Sequence, residues 1–467
     1  MKKDVKQVLV SGSWYIVGNF LIKAITFLSV SVFTRIMTVE DYGLYYTYLV
    51  YESMLTAIMS LGLAKTITVA KFEFTDSFHD YVASLAGYQT VLAAGVGVAG
   101  ILVCRAADLQ TGMFVAAWIA SYGNCIFQLV EQRFIIENRY VRYIGMTFMN
   151  NIPQIILSIL LILYWKKQSS YVERLIGHVV PLIFLLVLCL VYILKNGRVR
   201  KKYWRYGLKL GIPTIFMSLS ATVLTQSDRV LIGYFEGEDK VGIYSGVGTI
   251  GSILYIVMLS MQNVWTRIFM MHFSEKQYQE IRKKMIAYVC LFMVAVFGIM
   301  GAGRELCWFF LAKEYRVGDI LIVPLCLSWF FNFLGCILSE IEYAGGKALY
   351  LTAGMVFGAV INIGTNLLLI PVFGYEAAAY TTAFSYLAVL AFHLLVERRV
   401  CRTKAYSVAF LGISVLVMLS YSALIRVFLN HLLMRALIVI LYVAGVLAFV
   451  ICTVRKQDRN QERKQNE

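Results

Sequence analysis

Charged side chains are scarce in this chain. They make up 15 per cent of 467 residues, against 60 per cent hydrophobic, with a mean hydropathy of +0.71, and that balance excludes a soluble globular protein. Long polar stretches are missing too. No loop between apolar runs exceeds about two dozen residues, which leaves no room for a soluble catalytic domain. Paired cysteines are absent: the nine Cys are scattered singly within apolar segments and read as small buried hydrophobes, so neither a disulfide framework nor a metal site is expected. The five His, at 79, 178, 272, 393 and 431, have no ligand spacing, and no metal centre or catalytic residue set emerges from them. A Walker-type glycine loop is lacking, so ATP is not an expected cofactor, and none other is implied. Proline is rare, with five residues; Pro213, beside Gly211, is the best candidate for a hinge.

What the chain has in quantity is apolar runs of about 20 residues, the length of a membrane-spanning helix. They fall near 11–33, then after a turn at 34–45 in a second span reaching to about 70, and near 81–104, 112–134, 143–165, 171–194, 207–235, 241–271, 285–311, 317–343, 349–371, 375–396, 405–427 and 432–454. The expected fold is an all-α polytopic membrane protein of about fourteen transmembrane helices, in two six-helix lobes related by a pseudo-two-fold axis along the membrane normal, plus two C-terminal helices. The corresponding division is 1–194 for the first lobe, 195–206 for a basic linker, 207–400 for the second lobe, 401–454 for the two extra spans and 455–467 for a charged, disordered tail. The net charge of +16 sits in short loops between spans, as topology determinants do, and does not point to nucleic acid. Most Lys and Arg fall on one side if both termini are cytoplasmic. The basic start resembles a signal-peptide n-region, but the long apolar run after it lacks a small-x-small cleavage site and reads as an uncleaved first span. The linker interleaves Arg and Lys with Tyr203, Trp204 and Tyr206, as a segment anchored at the headgroups would.

A few ionisable residues lie well inside the spans, where each costs roughly 2.5 to 3.5 kcal/mol on insertion scales and must face protein or water. Lys23 is near the middle of the first span, with Asn19 a turn before it. Lys65 is late in the second span, and Arg229 ends a polar stripe of Ser218, Thr222, Thr225 and Gln226 on the seventh. The three cations are positioned to form a ladder across the membrane for an anionic passenger. Other readings stay open: Lys65 snorkels to a helix end, and Arg229 pairs with a carboxylate that holds the lobes together. Asp228, next in sequence, points to another face and is not its obvious partner. Glu52 and Asp228 are candidate coupling carboxylates for protons or sodium, or else structural hydrogen-bonding groups, and Arg35 is a candidate gate residue. Asn150-Asn151 and Asn362 with Asn366 read as interhelical hydrogen-bonding groups.

The two halves share a motif. Thr34-Arg35 leading to Glu40-Asp41-Tyr42-Gly43-Leu44-Tyr45 parallels Asp228-Arg229 leading to Val241-Gly242-Ile243-Tyr244. On these motifs the chain resembles the polysaccharide-biosynthesis (Wzx-type) flippases of the multidrug/oligosaccharidyl-lipid/polysaccharide exporter superfamily. The resemblance implies a non-enzymatic transporter in the plasma membrane that turns undecaprenyl-diphosphate-linked oligosaccharide to the outer leaflet by alternating access. It also implies two extra C-terminal spans that hold the lipid tail, with a polysaccharide polymerase and glycosyltransferases as functional partners. A cation-coupled multidrug exporter is the alternative within the superfamily; it would fit better if buried carboxylates outnumbered buried cations, and the sequence points to the reverse. A membrane-embedded glycan polymerase or acyltransferase would show a large outer loop or an intramembrane His with acid partners, and the sequence indicates neither.

Overall fold

The computed structural model describes residues 21–108, 110–165 and 169–466. Regular structure among them is entirely helical. The first helix, α1, is described over 21–36. It is followed by α2 (Val39–Ser60), α3 (Leu63–Glu73), α4 (Phe78–Ala106), α5 (Thr111–Ile136), α6 (Tyr140–Tyr164), α7 (Ser170–Asn196) and α8 (Lys202–Glu236). Beyond these come α9 (Glu238–Gly251), α10 (Ile253–Ser274), α11 (Tyr278–Gly301), α12 (Gly303–Phe310), α13 (Ile322–Ala344), α14 (Ala348–Phe373), α15 (Glu376–Val396), α16 (Val408–Val427) and α17 (Leu432–Asn466). Among the described residues twelve helical segments are long and apolar enough to cross a membrane, or thirteen with the bent α8. The expected first span begins outside those residues.

The chain packs as two compact units, Met1–Ser245 and Gly246–Glu467. The first therefore continues past the 195–206 linker and takes in α8, which packs on α2, α3 and α4. The linker is no loose connection. Its backbone is held to the start of α4 by Arg198 N donating to Asp80 Oδ1 at 2.8 Å and Arg200 N to Ser84 Oγ at 2.8 Å. Side chains add to this: Arg200 pairs with Asp80 at 2.8 Å, Trp204 Nε1 donates to the Ser84 carbonyl at 2.8 Å and the Tyr203 hydroxyl to Ser77 at 2.7 Å.

Local chemistry explains where helices start and break. Thr38 caps α2 by accepting from Asp41 N at 3.1 Å, and Glu40 and Asp41 occupy its first turn, where negative charge complements the helix dipole. The expected second span is two helices, because Leu61 and Gly62 both adopt the left-handed region at φ +45° and +63°. Two such residues in succession end the run of i to i−4 hydrogen bonds. In α8 the axis turns by 49° between Ile212 and Thr214, at Pro213, which supplies no backbone N–H to the ladder. The tail is the opposite case. Expected to be disordered, 455–466 instead continues α17 to Asn466, because Arg, Lys, Gln and Glu are good helix formers and the stretch has neither Pro nor Gly to stop them.

The shared motif has a packing explanation within the first unit. A Cβ on Gly43 would stand 1.8 Å from the Glu238 carbonyl oxygen, and one on Gly242 would stand 2.2 Å from that of Val39. Glycine at both places lets the starts of α2 and α9 touch backbone to backbone. Thr47 fastens the contact by donating to Glu238 Oε2 at 2.6 Å.

Candidate functional site

The expected cations do not share one environment. Lys23 on α1 and Lys65 on α3 are exposed, and neither takes part in an ion pair among the described residues. Arg35 is also exposed and donates to the Ser31 carbonyl at 2.8 Å. Arg229 is different: only 14 per cent of its side chain is exposed, and its Nη1 lies 3.2 Å from Asp228 Oδ1. Its Nε donates to Ser245 Oγ at 3.1 Å and its Nη1 to the Thr225 carbonyl at 3.0 Å. Buried Asp228 also accepts from its neighbour's backbone N at 2.9 Å and from the Tyr244 hydroxyl. The expectation that Asp228 is not the partner of Arg229 is thus corrected. Adjacent residues diverge by about 100° around a helix, but a three-carbon stem lets the guanidinium swing back over that angle. The motif residue Tyr244 completes the pair by binding the second carboxylate oxygen.

The polar stripe on α8 faces inward upon itself. Thr222 donates to the Ser218 carbonyl at 3.0 Å and Thr225 to that of Ala221 at 2.9 Å, so these hydroxyls are largely spent on their own helix. Gln226 is half-buried. Asn19 lies outside the described residues.

Glu52 proves to be the centre of a polar network in the first unit. Its buried carboxylate accepts from Asn124 Nδ2 at 2.6 Å, and its Oε2 lies 3.1 Å from His178 Nε2. That contact is close enough for an ion pair but is not aligned as a hydrogen bond, so both atoms keep unused bonding capacity. On the other side of the ring, His178 Nδ1 lies 2.8 Å from the Tyr45 hydroxyl. Ser121 steadies the helix by donating to the Glu52 carbonyl at 2.8 Å.

One turn before His178 on α7 is Arg174, also buried. Its Cζ is 3.6 Å from the ring centroid of Phe33 and 4.4 Å from that of Tyr45. Both residues line a cavity of about 190 Å³ walled by α1, α2, α6 and α7. Sequence reasoning missed Arg174, His178 and Asn124. The available signal was the i, i+4 spacing of Arg174 and His178, which puts a cation and a titratable ring on one face of an otherwise apolar helix.

The second unit holds two further polar clusters. His393 Nδ1 is 2.7 Å from Glu342 Oε1, and both side chains are 1 per cent exposed. With Glu52–His178, this pair corrects the expectation that no His meets an acid partner within the spans, because these partners come from separate helices brought together by packing. Asn362 on α14 donates to Thr382 on α15 at 3.2 Å, while Thr381 donates to Asn366, the interhelical bonding expected of these asparagines. Asn150 and Asn151 differ from expectation. They bond within α6, to Gln154 at 3.2 Å and to the Thr147 carbonyl at 2.8 Å. An apolar groove of about 430 Å³ runs between α11, α16 and α17, lined by Met293, Phe410, Ile413, Val417, Leu441 and Phe449. Where α12 meets α17, fully buried Arg435 donates to Glu305 Oε2 at 2.7 Å and to the Gly301 carbonyl at 2.6 Å. That hydrogen bond holds the Glu305 carboxyl below its ordinary range.

Comparison with solved structures places this architecture. The fold is similar to that of "Lipid II flippase MurJ, inward closed conformation", at a TM-score of 0.75 and 12 per cent identity, covering 93 per cent of this chain and 97 per cent of that one. It is also similar to an inward-facing "multidrug resistance MATE family transporter of the MOP superfamily", at a TM-score of 0.62 and 12 per cent identity, covering 83 and 99 per cent. A third similar structure is a MOP superfamily transporter from Pyrococcus furiosus described by the reverse polarity of its binding pocket, at a TM-score of 0.59 and 12 per cent identity, covering 85 and 96 per cent. No curated protein sequence matches. At such identities the likeness establishes the fold alone. The sequence itself goes further, since the family described as "Polysaccharide biosynthesis protein" matches residues 8–269, more than half of the chain. With that match, the chain belongs to the polysaccharide biosynthesis protein family, and its fold is that of the MurJ and MATE structures it resembles.

Proposed function

We propose that the protein turns an undecaprenyl-diphosphate-linked oligosaccharide from the cytoplasmic to the outer leaflet of the plasma membrane by alternating access, for cell-surface polysaccharide synthesis. The observation that carries this reading is the pair Lys23 and Lys65, exposed ammonium groups on apolar spans without carboxylate partners among the described residues. An unpaired charge at such depth is retained where it meets water or an anionic passenger. A diphosphate leaving the headgroups loses hydration, and fixed cations replace part of it. Arg229 joins them only when Asp228 releases it. The groove between α11, α16 and α17 has the apolar lining a polyprenyl tail needs. Glu52 with His178 serves as the coupling acid, since a buried carboxylate beside an imidazole exchanges a proton when access alternates. Both termini lie in the cytoplasm, and the glycan passes from glycosyltransferases to a polymerase by way of this protein.

The test is the leaflet distribution of lipid-linked oligosaccharide in cells depleted of the protein. Accumulation in the cytoplasmic leaflet is expected, and an unchanged distribution overturns the reading. A cation-coupled drug exporter is the second reading, supported by the buried Glu52–His178 pair and by buried carboxylates (Glu52, Glu173, Asp228, Glu340, Glu342 and Glu397) outnumbering the buried Arg133, Arg174 and Arg435 among the described residues, the reverse of the sequence expectation. It requires that depletion sensitise cells to cationic drugs while leaving the lipid-linked glycan where it was.

A further inference from the structure

The cavity of the first unit holds a charge that the transport reading leaves unused. Arg174 is 8 per cent exposed, and its Nε and Nη1 make no hydrogen bond. The carboxylate of the network, Glu52, is taken up by Asn124 and His178. Phe33 and Tyr45 stand over the guanidinium and offset part of its desolvation through their π faces, but a ring face does not satisfy in-plane N–H groups. A buried donor left without a partner destabilises the fold until something accepts from it. The cavity of about 190 Å³ is several times the roughly 30 Å³ share of one water, and Ser29, Asn151 and Gln154 line it along with Arg174.

We propose that this cavity is a phosphate-binding site, in which a phosphate group docks in the plane of the Arg174 guanidinium and accepts from its Nε–H or its Nη1–H. A charge-assisted hydrogen bond of this kind is roughly twice as strong as one between neutral groups. Phe33 and Tyr45 cover the faces of the guanidinium, so a ligand reaches it in its plane. The phosphate comes either from a lipid headgroup or from solution, and the chemistry of the site is the same for both. This inference stands apart from the flippase reading: its failure leaves the leaflet test untouched, and failure of the leaflet test leaves a phosphate site in place.

The experiment is thermal unfolding of the full-length protein in detergent, titrated with sodium phosphate against sodium chloride at matched ionic strength, and separately with short-chain phosphatidic acid. A saturable rise in unfolding temperature is expected with at least one probe. A response to both assigns the site to free phosphate as well as lipid, and a response to phosphatidic acid alone assigns it to a headgroup. Arg174→Met weakens the apparent affinity by at least about tenfold, the loss of one charge-assisted hydrogen bond. Because that variant also removes the stacking on Phe33 and Tyr45, Ser29→Leu provides a second arm. It narrows the cavity that Ser29 lines, keeps Arg174, and is expected to lose binding while unfolding at the wild-type temperature without ligand. The proposal is overturned if neither probe exceeds the chloride control in the wild type, or if Ser29→Leu binds as the wild type does.

Discussion

Arg229 and Asp228 show how a neighbouring pair escapes periodicity. Helical spacing assigns them to different faces, and that is correct for their Cβ atoms, yet the long guanidinium stem closes a 3.2 Å contact with the carboxylate. Reading charges by face works for short side chains and fails for Arg. The pair also yields a decision between structural and transport roles. Removing one partner of a buried pair costs about 3–5 kcal/mol, whereas removing both costs far less. Arg229→Met is therefore expected to lower the unfolding temperature markedly, and Asp228→Asn combined with Arg229→Met to restore much of it. A single variant that unfolds normally yet fails to transport would instead make Arg229 a passenger-binding cation. Glu52 illustrates a different limit. Its depth and acidity were legible, but its partners Asn124 and His178 come from α5 and α7, and such pairings are set by how helices pack, which hydropathy does not encode. Glu52→Gln is expected to flatten the dependence of transport on an imposed pH gradient, measured in proteoliposomes; an unaltered slope would make the Glu52–His178 contact purely structural.

Among the elements, the spans themselves were the most readable part of the chain, because a run of about 20 apolar residues admits little but a helix in a bilayer. Breaks within spans were harder to read. Leu61 gives no signal for the left-handed region, and the α2–α3 break became visible only in three dimensions. The glycine motif was recognisable as a repeat but not as a contact, and its geometry now makes a prediction. Gly43→Ala would bring a Cβ against the Glu238 carbonyl oxygen at 1.8 Å, and overpacking of this kind typically costs about 1–3 kcal/mol. Gly145→Ala on α6 meets nothing within 4 Å and should be neutral in the same denaturation series. The extra C-terminal helices supply a pH test. Arg435 holds the Glu305 carboxyl below its ordinary range, so the stabilisation is present above the ordinary glutamate range and is lost as pH falls through the depressed value. Unfolding of the wild type is expected to become easier on acidification through that window. Glu305→Gln should be less stable near neutrality and lose less on the same acidification.

For the whole molecule, family and fold were already legible in two short motifs and the layout of spans, because both are written in local sequence. The division into packed units was not. It falls inside α9, between Ser245 and Gly246, since α8 is held by α2, α3 and α4; a charge-rich loop marks a change of side, not necessarily a change of packing unit. The pinned 195–206 segment bears on how this protein can move. A tether of five hydrogen bonds and ion contacts to the first turns of α4 takes the slack out of the stretch between α7 and α8. Whatever swing the far half of α8 makes must then pivot at the 49° elbow between Ile212 and Thr214. Spin labels straddling that elbow should report a distance that changes during turnover, while labels straddling the tether should report one that does not.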